Sequence, residues 1–310
     1  MIRNATWIPV LIALMISIPA SAGDGLTVLY PPDLTLLTDN SVRILAFRGS
    51  GEDPVPVALN GIERDPLEGE NFLTGSMGLF FGANVLRVGG TEIRVYSFPG
   101  SKLKQYKIPS ATEGTTLLYR LFRLHPALED GCEGCHTVED AALRTTPLRE
   151  ACYSCHDDFE KGGGEGKWYV HGPVAAGECT SCHDPHFSTR LKLLKTERIC
   201  FECHDPFPEG GTVHIPVKYE ECTACHSPHA GPAPKQLARL GNALCLGCHE
   251  SPHTQHRSAE VKGQLTVLPT DFPVEKGQLA CMGCHLPHQS PERRLFRMKQ
   301  GEMCQNCHKV

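Results

Sequence analysis

The string C-x-x-C-H occurs eight times, and its copies contain every cysteine in the chain. They read "CEGCH" at 132, "CYSCH" at 152, "CTSCH" at 179, "CFECH" at 200, "CTACH" at 222, "CLGCH" at 245, "CMGCH" at 281 and "CQNCH" at 304. The copies fall into pairs whose members stand 20 to 23 residues apart. "GECTSCHDPH…TERICFECH", "EECTACHSPH…GNALCLGCH" and "LACMGCHLPH…GEMCQNCH" follow one plan, and 132–156 is a looser version. A repeat of this kind means one structural unit used several times.

C-x-x-C-H is the attachment motif of c-type haem. Two thiols form thioethers to neighbouring vinyl groups, and the histidine that follows is set beneath the iron. Disulfides or Cys₄ zinc sites would also use paired cysteines, but neither calls for a histidine after every second cysteine. Histidine is 16 of 310 residues, so chance does not supply eight of eight. The expectation is eight covalently attached c-type haems. Their thioethers would be made by Cys132, Cys135, Cys152, Cys155, Cys179, Cys182, Cys200, Cys203, Cys222, Cys225, Cys245, Cys248, Cys281, Cys284, Cys304 and Cys307. The proximal ligands would be His136, His156, His183, His204, His226, His249, His285 and His308.

Eight histidines remain: His125, His171, His186, His214, His229, His253, His256 and His288. Eight bis-histidine irons need eight distal ligands, and the count closes. His186, His229 and His288 stand in "CHDPH", "CHSPH" and "CHLPH", while His171 and His214 each stand eight residues before a cysteine and His125 seven before Cys132. A histidine three residues after the proximal one is too close along the chain to pass round the porphyrin, so it should serve a different haem. Pro185, Pro228 and Pro287 stop the chain from continuing there as a helix. His253 and His256 share one loop and have the weakest register. Met282, Met298 and Met303 lie near motifs, but the histidine count assigns them to packing.

Residues 121–310 have only about 24 residues per haem, too few for an ordinary apolar core. The expected fold is a multihaem cytochrome c domain, mostly irregular with short helices, in which stacked haems are the core. "STRLKLLKTERIC" and "PERRLFRMKQGEMC" read as two of those helices. Residues 24–110 are different. "SVRILAFRG", "VPVALNGIE", "LFFGANVLRV" and "TEIRVYSF" read as strands, with Asn60-Gly61 and Gly89-Gly90 as two-residue hairpin turns. About six short strands fit a small all-β sandwich of the immunoglobulin-like kind, read as a spacer or docking module. Residues 111–120 would link the two regions, and "LLYRLFRLHP" at 117–126 reads as a short helix or strand.

The chain opens with "MIRN", an apolar run and "ASA", the pattern of a secretory signal peptide over 1–22. No later apolar run is long enough to span a bilayer. Without Arg3 the chain has 29 basic against 35 acidic side chains, and this acidic balance argues against nucleic-acid binding.

The paired motif with "CHxPH" resembles the doubled CxxCH multihaem cytochromes of respiratory bacteria over about 120–310. That resemblance implies electron transfer to and from other redox proteins in anaerobic respiration, in the periplasm, at the outer surface or outside the cell. It leaves open a subunit of a conducting cytochrome filament or an outer-membrane conduit. Bis-histidine iron has no open site, so the expectation is a carrier and not an enzyme. The alternative is an octahaem reductase, which would need one iron with a free distal position.

Overall fold

The computed structural model describes residues 25–98, 119–159, 166–250, 273–275, 278–305 and 307. The expected 1–22 leader, residues 111–118 of the expected linker, His253, His256 and His308 lie outside the described residues. Two compact units emerge, one running to Thr145 and including Phe187–Thr189, the other Thr146–His186 with Arg190–Val310.

The first unit is built from β1 (Leu26–Tyr30), β2 (Thr35–Leu37), β3 (Ser41–Arg48), β4 (Val55–Leu59), β5 (Ile62–Leu67), β6 (Phe72–Gly78), β7 (Gly82–Val88) and β8 (Thr91–Ser97). β9 (Arg120–Leu121) joins the edge of a six-stranded sheet of order β5-β4-β7-β8-β2-β9, and β1-β3-β6 form a second sheet. Alternation explains why these segments are strands. In β7 Asn84, Leu86 and Val88 point inward, and in β8 Ile93, Val95 and Ser97 do, the period of two that lines one face. Ile44, Ala46 and Leu73 of the small sheet pack with Val57, Leu86, Val88, Ile93 and Val95 of the large one in a single core. Both foreseen hairpins form. Asn60 and Gly61 take φ 52° and 79° between β4 and β5, the positive pair that a type I′ turn needs.

Two buried polar side chains hold the loops of this unit. Asn84 accepts from Phe80 N at 3.1 Å and donates to the carbonyls of Phe80 at 2.8 Å and Gly82 at 2.9 Å. Arg48 donates to the carbonyl of Glu70 at 2.9 Å and to those of Asp53 and Gly69. Both satisfy backbone groups that would otherwise be costly to bury.

The boundary after Thr145 differs from the 120/121 division read from the sequence. β9 extends the large sheet, and Leu128 joins Tyr30 and Leu45 in a second small core. The first C-x-x-C-H therefore belongs to the β-rich unit. It leads into a hairpin of β11 (His136–Glu139) and β12 (Ala142–Thr145), whose turn approaches Gly49 so closely that a Cβ there would lie 2.7 Å from Ala141 O. Just before this motif, the described part of "LLYRLFRLHP", residues 119–126, contains two short strands, β9 and β10 (Arg123–Leu124).

The second unit is short turns joined by two-residue ribbons. Tyr169–Val170 pairs with Ala230–Gly231, and Thr212–Val213 with Gln289–Ser290. The foreseen helix over "STRLKLLKTERIC" does not form. It is two 3₁₀ turns, Leu191–Leu193 and Ile199–Glu202, broken by Lys192 and Leu193 at φ 54° and 55°. "PERRLFRMKQGEMC" likewise begins as a 3₁₀ turn, Arg293–Leu295, and only Gln300–Gln305 is α-helical. Among the described residues of this unit Ala230 and Ala233 are the only buried hydrophobic side chains. No helix of the described residues is long and apolar enough to cross a membrane.

Candidate haem centres

Each described motif is one tight turn. The histidine N–H donates to the carbonyl of the first cysteine four residues back, at 3.0 Å for His136, 2.9 Å for His156, 3.2 Å for His183 and 3.0 Å for His204, His226, His249 and His285. Residues at i, i+3 and i+4 of a helical turn share one face. Both thiols and the imidazole thus stand on one side of the turn, the arrangement a porphyrin edge and its iron require.

The first motif of each pair carries a further device. His183 Nδ1 donates to Lys192 O at 2.7 Å, His226 Nδ1 to Lys235 O at 2.8 Å and His285 Nδ1 to Arg294 O at 2.9 Å. The acceptor is nine residues on each time. A carbonyl can only accept, so Nδ1 carries the proton and Nε2 presents its lone pair. The carbonyl is aimed by two consecutive left-handed residues: Lys192 and Leu193, Lys235 and Gln236 at φ 64° and 54°, and Arg294 and Leu295 at φ 58° and 59°. Non-glycine residues hold that conformation at a cost of roughly 1–3 kcal/mol each. Its threefold recurrence ties it to the repeated unit. A backbone ladder closes the loop, with Asp184 N to Leu193 O at 2.8 Å and Lys195 N to Cys182 O at 3.0 Å, repeated by Ser227 with Gln236 and Ala238 with Cys225 and by Leu286 with Leu295 and Arg297 with Cys284. His136 obtains the same contact from its hairpin, with Nδ1 3.3 Å from Arg144 O and 3.1 Å from Thr145 Oγ1. These acceptors were not foreseen from the sequence. The readable signal was a lysine or arginine nine residues after each CHxPH proximal histidine.

Four of the remaining histidines, His171, His214, His229 and His288, lie opposite proximal ones. Ring centroids are 6.1 Å apart for His171 and His204, 6.0 Å for His214 and His249, 6.1 Å for His183 and His229 and 5.9 Å for His226 and His288, with interplanar angles of 14°, 19°, 32° and 31°. Two metal–imidazole bonds of about 2.0–2.1 Å on opposite faces of one metal ion would separate two such centroids by roughly 6 Å. The residues present fit an iron held between each pair. Burial, with the neighbouring His183, depresses the His229 pKa, and burial with His226 depresses that of His288, a direction that favours the neutral imidazole.

The ribbons supply these partners two at a time. His171 follows one strand and His229 precedes its mate, with His171 N donating to His229 O at 2.8 Å. His214 and His288 flank the other ribbon in the same way, joined at 3.0 Å. The ribbon Arg123–Leu124 with Phe187–Ser188 has His125 and His186 at the corresponding positions in sequence. His186 N donates to Asp184 Oδ1 at 2.9 Å. Phe159 stacks on His229 at 4.3 Å, and Phe207 packs on His288 at 4.9 Å.

Successive motifs adjoin. Burial raises the Cys200 thiol pKa, assisted by its contact with Cys222, and raises that of Cys245 to about 11, assisted by Cys281. Burial followed by the charge of a neighbouring thiol does the same for Cys182 beside Cys203, Cys225 beside Cys248 and Cys284 beside Cys307. First cysteines meet between pairs and second cysteines within them. No disulfide joins the described cysteines.

No curated protein matches the chain. One solved structure, an FMN-binding beta-glucuronidase from Facaelibacterium prausnitzii L2-6, aligns at 12% identity with a TM-score of 0.21. The alignment covers 29% of this chain and 13% of that one, a likeness that carries no argument. Residues 171–209, 214–254 and 272–310 each match the family described as the doubled CXXCH motif. Each of the first two matched segments begins on the histidine that flanks a ribbon, His171 or His214. The chain therefore carries, in this region, the paired motifs of a multihaem c-type cytochrome-like family, and such motifs imply covalently attached c-type haem.

Proposed function

We propose that this chain is an exported octahaem c-type cytochrome that carries electrons along a row of bis-histidine haems in anaerobic or extracellular respiration. The observation that carries the reading is the set of four facing histidine pairs at 5.9–6.1 Å. An iron with an imidazole on each face gains and loses electrons and offers no position to a substrate, so the protein is a carrier and not an enzyme. The paired histidines would hold an iron between them, and the carbonyls of Lys192, Lys235 and Arg294 would fix the tautomer of His183, His226 and His285. Histidine ligands lack the potential-raising effect of an axial methionine, which suits low-potential partners. Those partners are donor and acceptor redox proteins. The leader-like start supports the periplasm, the outer surface or the exterior as its place of work.

The test is the spectrum of dithionite-reduced holoprotein before and after carbon monoxide, with haem quantitation. About eight haems and no change with carbon monoxide are expected. A haem that binds carbon monoxide in the unaltered protein would move the reading to the octahaem reductase.

A further inference from the structure

The four assigned centres differ in one respect that bears on where electrons reside. In the His183–His229 centre, His183 donates from Nδ1 to Lys192 O at 2.7 Å. In the His226–His288 centre, His226 does so to Lys235 O at 2.8 Å. In the His171–His204 centre the contact is on the other face, where His171 Nδ1 donates to Pro228 O at 3.0 Å. The His214–His249 centre has none: among the described residues, neither ring nitrogen of either imidazole has a protein hydrogen-bond partner. Three centres thus have one clamped axial imidazole each, and the fourth has two unclamped ones.

A hydrogen bond from the far N–H makes a ligand imidazole more basic. A more basic ligand favours ferric over ferrous iron and lowers the potential, and such contacts are a principal means by which a protein sets haem potential. We infer that, of these four centres, the one held by His214 and His249 has the highest midpoint potential and is the first to take an electron.

A second feature acts in the same direction. The motif of this centre is "CLGCH", and its Gly247 lies against Arg239. A Cβ on Gly247 would stand 2.7 Å from Arg239 Nη1, so the absence of a side chain there lets a guanidinium rest on the haem-attachment turn. Among the described residues Arg239 makes no ion pair, whereas Arg198 in the same unit is engaged by Glu220 at 2.8 Å. A cation beside a centre favours its reduced, less positive state. Lys195 also lies near Cys182 in the His183 centre. Cations alone therefore do not separate the centres, and the hydrogen-bond count decides the order.

The consequence is that, among these four centres, the first electron would rest at the second haem of the 222–249 pair, whose Cys245 touches Cys281 of the next motif. The inference rests on the bis-histidine reading, and its test separates the two. Full-length holoprotein is titrated with dithionite in the presence of mediators, alongside four variants, His171→Ala, His214→Ala, His229→Ala and His288→Ala. Each variant identifies its own centre by the component it shifts. The component shifted in His214→Ala is expected to be, in the unaltered protein, the most positive of the four. Arg239→Gln, a change at an exposed side chain, is expected to lower that component and leave the other three in place. A different order among the four, or an unmoved component in Arg239→Gln, overturns the inference while leaving the ligand pairs intact. Carbon monoxide binding by the unaltered protein would instead strike at the reading beneath it.

Discussion

At the residue scale, the chemistry divides into side chains whose identity is obligatory and backbone groups whose identity is not. Cysteine and histidine at this spacing are what the c-type haem attachment motif requires, so the eight motifs and the eight further histidines were legible as residues. Which histidine meets which was not, because the facing partners are 33 to 62 residues apart in sequence and nothing local records the pairing. The carbonyls of Lys192, Lys235 and Arg294 were hidden further. Any residue has a carbonyl, and the left-handed pairs that aim these contain no glycine to announce them. Asn84 was also silent in the sequence, since an asparagine in a strand does not reveal that it will be buried against a turn. The pairing makes a residue-level prediction. His288→Ala removes the group facing His226, so that iron alone should become accessible. One equivalent of carbon monoxide per chain should bind the reduced variant, with haem content unchanged. If the variant binds none, His288 is not the partner of His226.

At the scale of elements, the hairpins of the β-rich unit were legible because Asn60-Gly61 and Gly89-Gly90 are residue types that tolerate the positive φ of tight hairpin turns. The helix expected from "STRLKLLKTERIC" was not realised. Its good helix formers are overruled by the need to bring Lys192 O back to His183, a tertiary demand that local propensity does not contain. The ribbons explain a further detail. His229 faces His183 and His288 faces His226, so the histidine of a CHxPH string meets the pair before its own. The first motif continues as "CHTVE", without that histidine. The repeats are thus interlocked, each completed by the next. A chain ended at Leu279 should show this. It loses the motifs at 281 and 304, and with them His288 and the strand Gln289–Ser290 that pairs with Thr212–Val213. Haem content should fall by two, while carbon monoxide binding rises by at least one equivalent at the His226 centre. A shortened protein with six haems and no carbon monoxide binding would show that the repeats are independent.

At the scale of the whole molecule, the two units rest on different physics. The first has an apolar core in which Ile44, Leu73, Leu86, Val88 and Val95 are 0% exposed. The second buries two alanines among its described hydrophobic side chains, and Leu191, Ile215 and Tyr219 are 71%, 68% and 66% exposed. Burial of apolar area is worth about 25 cal/mol per Å², and ordering a residue's backbone costs roughly 1–2 kcal/mol. A unit with so few buried side chains cannot offset that cost with polypeptide alone. Haem attachment and two axial bonds per iron would supply the balance, as ligand binding supplies folding free energy in small metal domains. Protein made without haem should therefore be half-folded. Limited proteolysis should leave a resistant fragment containing residues 25–98 and digest 190–310, whereas holoprotein resists throughout. Leu86→Ala sharpens the test, since deleting a fully buried leucine costs about 2–5 kcal/mol. It should lower the denaturation midpoint of the β-rich unit in both forms and leave the haem spectrum of the holoprotein unchanged. Equal protease resistance of 190–310 with and without haem would mean that the second unit has a source of stability other than its cofactors.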